Sequence, residues 1–312
     1  MKSGKAFEIF VKRILMNVGF LEVKSDDLFV FDGNVGQMVQ GLGEAHNADV
    51  LLEPPVQTPF IYKTRLIIEC KDYSKKVGLN IVRSAFGLRE DVNRFEIVDR
   101  NVLEERRSQR RSGIIRMYDR CIYQVAVATM NGFTSQAQEF AATHHISLIE
   151  FDKMNFWVGF KDVLHNISQN EFWTESEKQE KIIRYADCIS EKIAVAITNS
   201  GQILFLYREV GNKNRFSGEY RLVWLTPQHS WKMSVGGCQY GFQLPDVILQ
   251  KWINNMSTDL ECKREAINIK EKYMSNMIVY YVEDGKSSIG MISISKSQLE
   301  DAKERLQDSR NE

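Results

Sequence analysis

The sequence predicts an α/β fold in the first half of the chain, a mixed sheet with helices on both faces, and an α+β domain with an antiparallel sheet in the second half. Apolar runs at 66–68 and 121–129 are typical of buried strands. Residues 5–18 and 79–95 repeat apolar side chains at helical spacing. From residue 193 onward, short strands alternate with turn signals, a pattern that predicts an antiparallel sheet.

The composition indicates a globular chain without a membrane segment. The 312 residues include 41 Lys and Arg and 41 Asp and Glu. Because the net charge is zero, any contact with nucleic acid must come from a local basic patch. No apolar run approaches the roughly 20 residues of a membrane span, and the N-terminus lacks a signal-peptide pattern. Five cysteines without a C-x-x-C pair argue against zinc and a disulfide framework and favour a reducing cytoplasm.

The predicted N-terminal helix carries an acidic residue, Glu8, at the edge of its apolar stripe. Glu8 either faces a site on the sheet that the helix covers or pairs in solvent with Lys12, four residues further on. Gly19 then predicts the end of the helix, because glycine favours the left-handed cap. Strands and turns are expected over residues 21–46.

The most informative stretch is R-L-I-I-E-C-K, an apolar run that ends in two charges at residues 69–71. Residues two apart on a strand share a face. Glu69 and Lys71 therefore point the same way, and Cys70 points to the opposite side. A charged pair at the end of a buried strand is costly unless it has partners or a task.

A second acidic strand end lies upstream, where Asp49 begins the apolar run 50–52 and prolines end it. The two strands are predicted to be antiparallel neighbours. Two carboxylates and a lysine suit metal-dependent phosphodiester cleavage, because carboxylates hold Mg²⁺ and the metal activates a bound water. The alternative is a strand-end ion pair of Glu69 and Lys71 with an unrelated Asp49, since short E-x-K patterns are common by chance.

In this context residues 4–152 resemble the PD-(D/E)xK nucleases, and most of all the Mrr-type restriction endonucleases. The residues that carry the resemblance are Gly4-x-x-Phe7-Glu8, Gly19-Phe20, Asp49, Ile68-Glu69-Cys70-Lys71 and Thr129-x-x-Gly132-Phe133-Thr134-x-x-Ala137. The resemblance implies a restriction-endonuclease-like domain and a Mg²⁺-dependent endonuclease, with Mn²⁺ able to substitute. It favours DNA as the substrate and leaves RNA open.

The resemblance also implies roles for individual residues. Asp49 and Glu69 would ligate the metal, together with the main-chain carbonyl of Cys70. Lys71 would position or activate the attacking water, and Glu8 would support a ligand or a second metal. A setting in restriction or anti-phage defence, and the pairing of protomers to cut both strands, follow from the resemblance alone.

Two other hypotheses stay open. The run His46-Asn47-Ala48 replaces the glycines that family members often carry before the first Asp, and no Gln-x-x-x-Lys motif is evident. A nuclease-like scaffold that binds nucleic acid or a partner protein without cutting is therefore an alternative. A further version keeps the enzyme and makes the C-terminal half a sensor, so that the nuclease is silent until a ligand or partner protein binds.

Two basic stretches are candidate contacts to nucleic acid. Lys75 and Lys76 lie in the polar loop after Lys71, where they either contact phosphates or are solvated loop charges. Residues 100–120 hold a local excess of arginine, which binds phosphate with paired donors. A charged surface helix with internal Glu–Arg pairs is an equal alternative. The candidates in this stretch are Arg106, Arg107, Arg110 and Arg111.

The remaining sequence divides the chain into three parts. After the strand 121–129, Ser135 with Gln138 predicts a capping box and a helix, followed by a parallel strand over 146–151. We expect a nuclease domain over 1–152, bridging helices over 153–192 and an α+β recognition or regulatory domain over 193–312. The elements expected in that last part are strands at 193–198, 203–207, 220–225 and 231–240, helices at 245–254 and 258–273, a hairpin at 277–294 and a terminal helix.

Overall fold

The computed structural model describes residues 3–26, 28–34, 36–57, 62–97, 100–109, 120–216, 220–225, 230–244, 259–294 and 296–308. These residues form a mixed sheet flanked by helices and a separate antiparallel sheet. The predicted mixed α/β architecture and the antiparallel sheet of the second half are therefore confirmed. No helix in the described ranges is long and apolar enough to cross a membrane.

The first half begins with helix α1, Ser3–Asn17, as the apolar spacing predicts. Its strands β1 to β8 are Leu21–Glu22, Val30–Gly33, Gly36–Gln40, Ala45–Asn47, Val50–Glu53, Lys63–Lys71, Cys121–Thr129 and Ser147–Glu150. Helices α2 (Leu79–Arg94) and α3 (Arg100–Ser108) lie between β6 and β7, and α4 (Ser135–His144) joins β7 to β8.

The second half begins with helices α5 (Trp157–Gln169) and α6 (Glu175–Ser190). Strands β9 to β13 follow at Ile193–Thr198, Ile203–Val210, Tyr220–Leu225, Ser230–Val235 and Cys238–Phe242. The chain continues with α7 (Asp259–Tyr273), the hairpin of β14 (Asn276–Glu283) and β15 (Lys286–Ser293), and α8 (Lys296–Asp308).

In the second half, one predicted element is wrong and another cannot be compared with the structure. The single strand predicted over 231–240 is wrong, because Gly236 and Gly237 have φ angles of 59° and 78° and turn the chain between β12 and β13. Glycine accepts this left-handed backbone without the steric cost that other residues meet. The helix predicted over 245–254 lies outside the described residues.

The first sheet has the order β1-β5-β6-β7-β8. Strand β5 is antiparallel to β6, whereas β6, β7 and β8 are parallel. From residue 125 to residue 129 the side chains of β7 are buried on both faces, as the near-continuous apolar run predicts: one face packs with α1 and the other with α2 and α4. Strands β2, β3 and β4 form a small separate sheet.

The start of α4 is displaced by one residue from its predicted position. Thr134 is the N-cap, and its hydroxyl accepts a hydrogen bond from the Ala137 N–H at 3.4 Å. The predicted capping box of Ser135 with Gln138 is therefore wrong. The side chain of Gln138 is buried and donates to the Phe133 carbonyl at 3.4 Å, because the first turn of α4 packs against the sheet.

A single apolar core joins the two halves through α1 and α5. The rings of Phe10 and Phe160 stack with their centroids 3.8 Å apart. Phe151, at the end of the first sheet, contacts Phe7 of α1 and Phe205 of β10, with centroid distances of 5.3 and 5.2 Å. Apolar side chains of the first sheet, α1 and the second sheet thus belong to one continuous core. The division of the chain at residues 152 and 192 stays a prediction.

Removing the central ring of this core tests its contribution to stability. Phe10 is fully buried, so Phe10→Ala should lower the free energy of unfolding by about 3–5 kcal/mol through lost burial and a residual cavity. Urea unfolding followed by circular dichroism measures the change. Phe172 is 97% exposed, and Phe172→Ala should change the free energy by less than about 0.5 kcal/mol. Equal effects of the two changes would contradict this account of the core.

Candidate active site

The pairing of β5 with β6 brings the two acidic strand ends together. The ladder pairs Leu52 with Leu66 and Val50 with Ile68, so Asp49 lies opposite Glu69 one residue further on. Alternate residues of β5 and β6 pack on opposite sides of the sheet. The predicted antiparallel neighbours are confirmed.

Three charged side chains contact one another at this end of the sheet. The ammonium Nζ of Lys71 lies 2.7 Å from Glu69 Oε2 and 3.4 Å from Asp49 Oδ2. The side chains of Asp49, Glu69 and Lys71 are only 14%, 17% and 19% exposed. The structure thus brings these three predicted residues into one partly buried cluster, and the expected shared face of Glu69 and Lys71 is confirmed.

Main-chain and amide donors hold the carboxylate of Asp49 in place. The Cys70 N–H donates to Asp49 Oδ2 at 2.8 Å. The side-chain amide of Asn47 donates to Asp49 Oδ1 at 3.3 Å. Asp49 is therefore oriented from both oxygens by groups on neighbouring strands. The Cys70 side chain points the other way into the core beneath α1, as the strand alternation predicts.

Burial and mutual attraction set the protonation of this cluster. Burial raises the pKa of Glu69, and the neighbouring Lys71 lowers it only in part. Burial alone would lower the pKa of Lys71, but the carboxylates of Glu69 and Asp49 outweigh it, and that pKa is raised. Lys71 therefore stays an ammonium near neutral pH. Burial also raises the pKa of the Cys70 thiol, so its sulfur stays neutral.

The oxygen atoms of the cluster fit a hard divalent cation. Asp49 and Glu69 supply carboxylate oxygens, which Mg²⁺ prefers. The N–H and C=O of one strand residue leave the strand on the same side, so the carbonyl of Cys70 is directed towards Asp49 as its N–H is. Among the described residues, no three His, Cys, Asp or Glu side chains are spaced to hold a metal. The main-chain carbonyl of Cys70 and the side-chain oxygen of Asn47 are further oxygens beside Asp49.

Glu8 lies near the cluster without contacting it. Glu8 and Asp49 line the same open cleft, whose volume is about 610 Å³. The Glu8 carboxylate is 22% exposed and pairs with Lys5 at 2.8 Å. The alternative pairing with Lys12 is wrong, because Lys12 reaches across to Glu22 at the start of the sheet.

The candidate nucleic-acid contacts lie apart from the three charged residues. Lys75 and Lys76 are exposed in the loop between β6 and α2. Arg106 and Arg107 lie on α3, where Arg107 is exposed and Arg106 is half-buried. None of these four side chains contacts the cluster. Arg110 and Arg111 lie outside the described residues, and the role of all six stays a prediction.

An aspartate on α2 braces the chain just before Asp49. The carboxylate of Asp91 accepts hydrogen bonds from the Gly43 and Glu44 N–H groups at 2.8 and 3.4 Å and lies 2.8 Å from His46 Nε2. The His46 ring and these N–H groups hold the pKa of Asp91 below its usual range. Sequence reasoning missed Asp91, since a single acid on an amphipathic helix carries no signal of a partner 45 residues away.

Helix α1 is fastened to α6 by a further ion pair that sequence reasoning missed. Arg13 donates to both carboxylate oxygens of Asp187, from Nε at 2.6 Å and from Nη2 at 3.0 Å. Asn17 donates to the same carboxylate at 2.7 Å. The partners are up to 174 residues apart in the sequence, so no local sequence pattern predicts the contact. It fixes the helix that carries Glu8 from outside the first sheet. At the other end of α1, Ser3 donates to Asp72, in the loop after β6.

Comparisons with known proteins give little further guidance. No protein-family model matches the sequence, and no curated protein matches it. A solved structure titled "Crystal Structure of Protein of Unknown Function AF1548" is similar at 16% identity, over 58% of this chain and 95% of that chain, with a TM-score of 0.32. A similarity at that level carries no argument about function.

Removing the lysine charge tests the electrostatics of the cluster. In Lys71→Met the neighbouring ammonium is lost while burial continues to act, so the pKa of Glu69 should rise further. An NMR titration of the Glu69 side-chain carboxyl carbon measures it. Lys76→Met removes an exposed lysine from the adjacent loop and should leave the Glu69 titration unchanged. A Glu69 titration that is the same in both variants would refute the ion pair.

Proposed function

We propose that this chain is a Mg²⁺-dependent endonuclease that hydrolyses phosphodiester bonds in DNA. The observation that carries the proposal is the convergence of Asp49, Glu69 and Lys71 from two neighbouring strands. Two carboxylates and an ammonium at one end of a sheet combine hard metal ligands with a positive charge for the reacting phosphate. The mixed sheet with helices on both faces supports a restriction-endonuclease-like domain of the PD-(D/E)xK kind over residues 4–152.

Each residue of the cluster has a role that its surroundings support. Asp49, Glu69 and the carbonyl of Cys70 would hold the metal. When bound, Mg²⁺ polarises a phosphoryl oxygen and lowers the pKa of a coordinated water. Lys71, whose pKa is raised, would orient the attacking water and offset negative charge rather than accept a proton. Glu8, on the wall of the same cleft, would support a ligand or a second metal.

A nuclease-like scaffold that binds nucleic acid without cutting is the second candidate. The observation that favours it is the contact of Lys71 with both carboxylates, because this pairing partly neutralises them without a metal. In either case we propose that the second sheet and its helices recognise a target or control the first domain. The continuous apolar core between the halves supports such coupling.

Cleavage of plasmid DNA tests the nuclease directly. The wild-type protein with Mg²⁺ or Mn²⁺ should nick or linearise the plasmid, and EDTA should abolish the reaction. Glu69→Ala, Asp49→Ala and Lys71→Ala should each lower the rate by about 10²–10³-fold, the range for loss of one electrostatic group in an active site. Asp162→Ala removes an exposed acid of α5 and should cut at the wild-type rate.

The same assay separates the two candidates. Full activity in Glu69→Ala or Lys71→Ala would refute the assignment of the site. Metal-independent cleavage would refute the Mg²⁺ chemistry. A wild-type protein that shifts DNA in a gel but cuts none, with every divalent metal tested, would favour either the scaffold or a nuclease that is silent until a ligand or partner protein binds.

A further inference from the structure

The cleft beside Asp49 and Glu8 extends beyond the first domain. One wall is α1, a second comes from β3 and β4, and a third comes from α6 through Gln179 and Ile183. The ion pair of Arg13 with Asp187 keeps α1 and α6 side by side along this cleft. A helix from the bridging segment therefore borders the proposed site of cleavage.

Positive charges follow the α1 side of the cleft. Lys5, Lys12 and Arg13 line it, with side chains that are 62%, 34% and 37% exposed, and each of them is paired with a carboxylate. Lys5 and Lys12 are two helical turns apart, about 10 Å along the axis at 1.5 Å per residue. That distance is the rise of about three stacked nucleotides at 3.4 Å each. Cations spaced in this way suit phosphates about three nucleotides apart on one strand.

The inner lining of the cleft suits a base. Ile9, Met16 and Ile183 present apolar surface, against which an unpaired base can pack. Side-chain amides that can read base edges also line it. Among them, Gln179 is exposed and makes no hydrogen bond within the part of the chain that the structure describes. Its donors and acceptor are therefore available to a ligand.

The size of the cleft favours an unpaired strand over a double helix as its ligand. Its volume of about 610 Å³ falls within the range of about 300–1,000 Å³ for pockets that enclose one small ligand. A paired base has its hydrogen-bonding edge occupied and cannot turn into such a cleft without leaving the stack. A base can therefore reach the inner lining only when it is unpaired or has been extruded.

We propose that this cleft binds a single unpaired nucleic-acid strand, with Lys5 and Lys12 on its phosphates and Gln179 on a base edge. The proposal rests on the proposed nuclease function for its purpose, because it places the strand beside Asp49 and Glu8. It assigns the bridging helix α6 a part in recognising the substrate. The chain would accordingly act at single-stranded or locally unpaired sites.

Binding in the absence of metal tests the proposal separately from catalysis. Fluorescence anisotropy is measured with Glu69→Ala protein in EDTA, using a labelled single-stranded oligonucleotide and the duplex of the same sequence. The single strand should bind at least about tenfold more tightly than the duplex. Adding Gln179→Ala should weaken binding of the single strand by roughly tenfold, a typical effect of losing one base contact. Gln169→Ala, at an exposed position on α5, is the matched control and should have no effect.

Salt dependence tests the phosphate contacts. Removing both lysines in Lys5→Ala/Lys12→Ala should reduce the slope of log affinity against log salt by about 1.4, because each single-strand phosphate contact contributes about 0.7. Lys24→Ala removes an exposed lysine that does not line the cleft and should leave the slope unchanged.

Three results would overturn the proposal. The duplex could bind as tightly as the single strand, Gln179→Ala could match Gln169→Ala, or the lysine variant could keep the full salt slope. These readouts use an inactivated site without metal, so they stand even when the nuclease proposal fails. Conversely, normal plasmid cleavage with any of these three results would leave the nuclease intact and remove only the strand-binding role of the cleft.

Discussion

The register between β5 and β6 is the constraint on which the candidate site depends. With Val50 opposite Ile68, the carboxylates of Asp49 and Glu69 meet at the end of the ladder, and Lys71 reaches both. A slip of one residue would move the side chains of one strand to the other face. The apolar residues on both faces prevent that slip, since each must stay in its own core. The register that packs the apolar residues of the sheet therefore also brings the charged cluster together.

Helix α1 has an apolar face and a polar face, and each has its own role. Its apolar face fills the core between the first sheet and α5, where Phe10 stacks on Phe160. Its polar face carries Glu8, Lys5 and Lys12 along the cleft. Because the apolar face is fully buried, core packing sets the position of the polar face, and the ion pair of Arg13 with Asp187 adds a polar contact that holds it there.

Much of the fold was predictable because its signals are local. The helix over Ser3–Asn17, the β7 strand and the hairpin of β14 and β15 follow from apolar spacing and turn residues read within a few positions. The cluster of Asp49, Glu69 and Lys71 was predictable because Asp49 begins one apolar run and Glu69 ends another.

Contacts over long separations were not predictable. Asp91 on His46 and Arg13 on Asp187 join residues far apart in the chain, and each partner taken singly resembles an ordinary solvated charge. The turn at Gly236 and Gly237 was missed because the alternation of apolar and polar residues on both sides was read as one strand, although Gly-Gly is itself a hairpin signal.

The two-point contact between Arg13 and Asp187 has a mechanical consequence. A bidentate pair resists sliding and rotation of α1 against α6 more than a single hydrogen bond does. We therefore expect these two helices to shift together. Helix α6 leads directly into β9 of the second sheet. A displacement of β9 would therefore move α6 and, with it, the helix that carries Glu8. The strands that carry Asp49 and Glu69 would stay in register. The α1 and α6 walls of the cleft would thus move relative to the strands that carry the charged cluster.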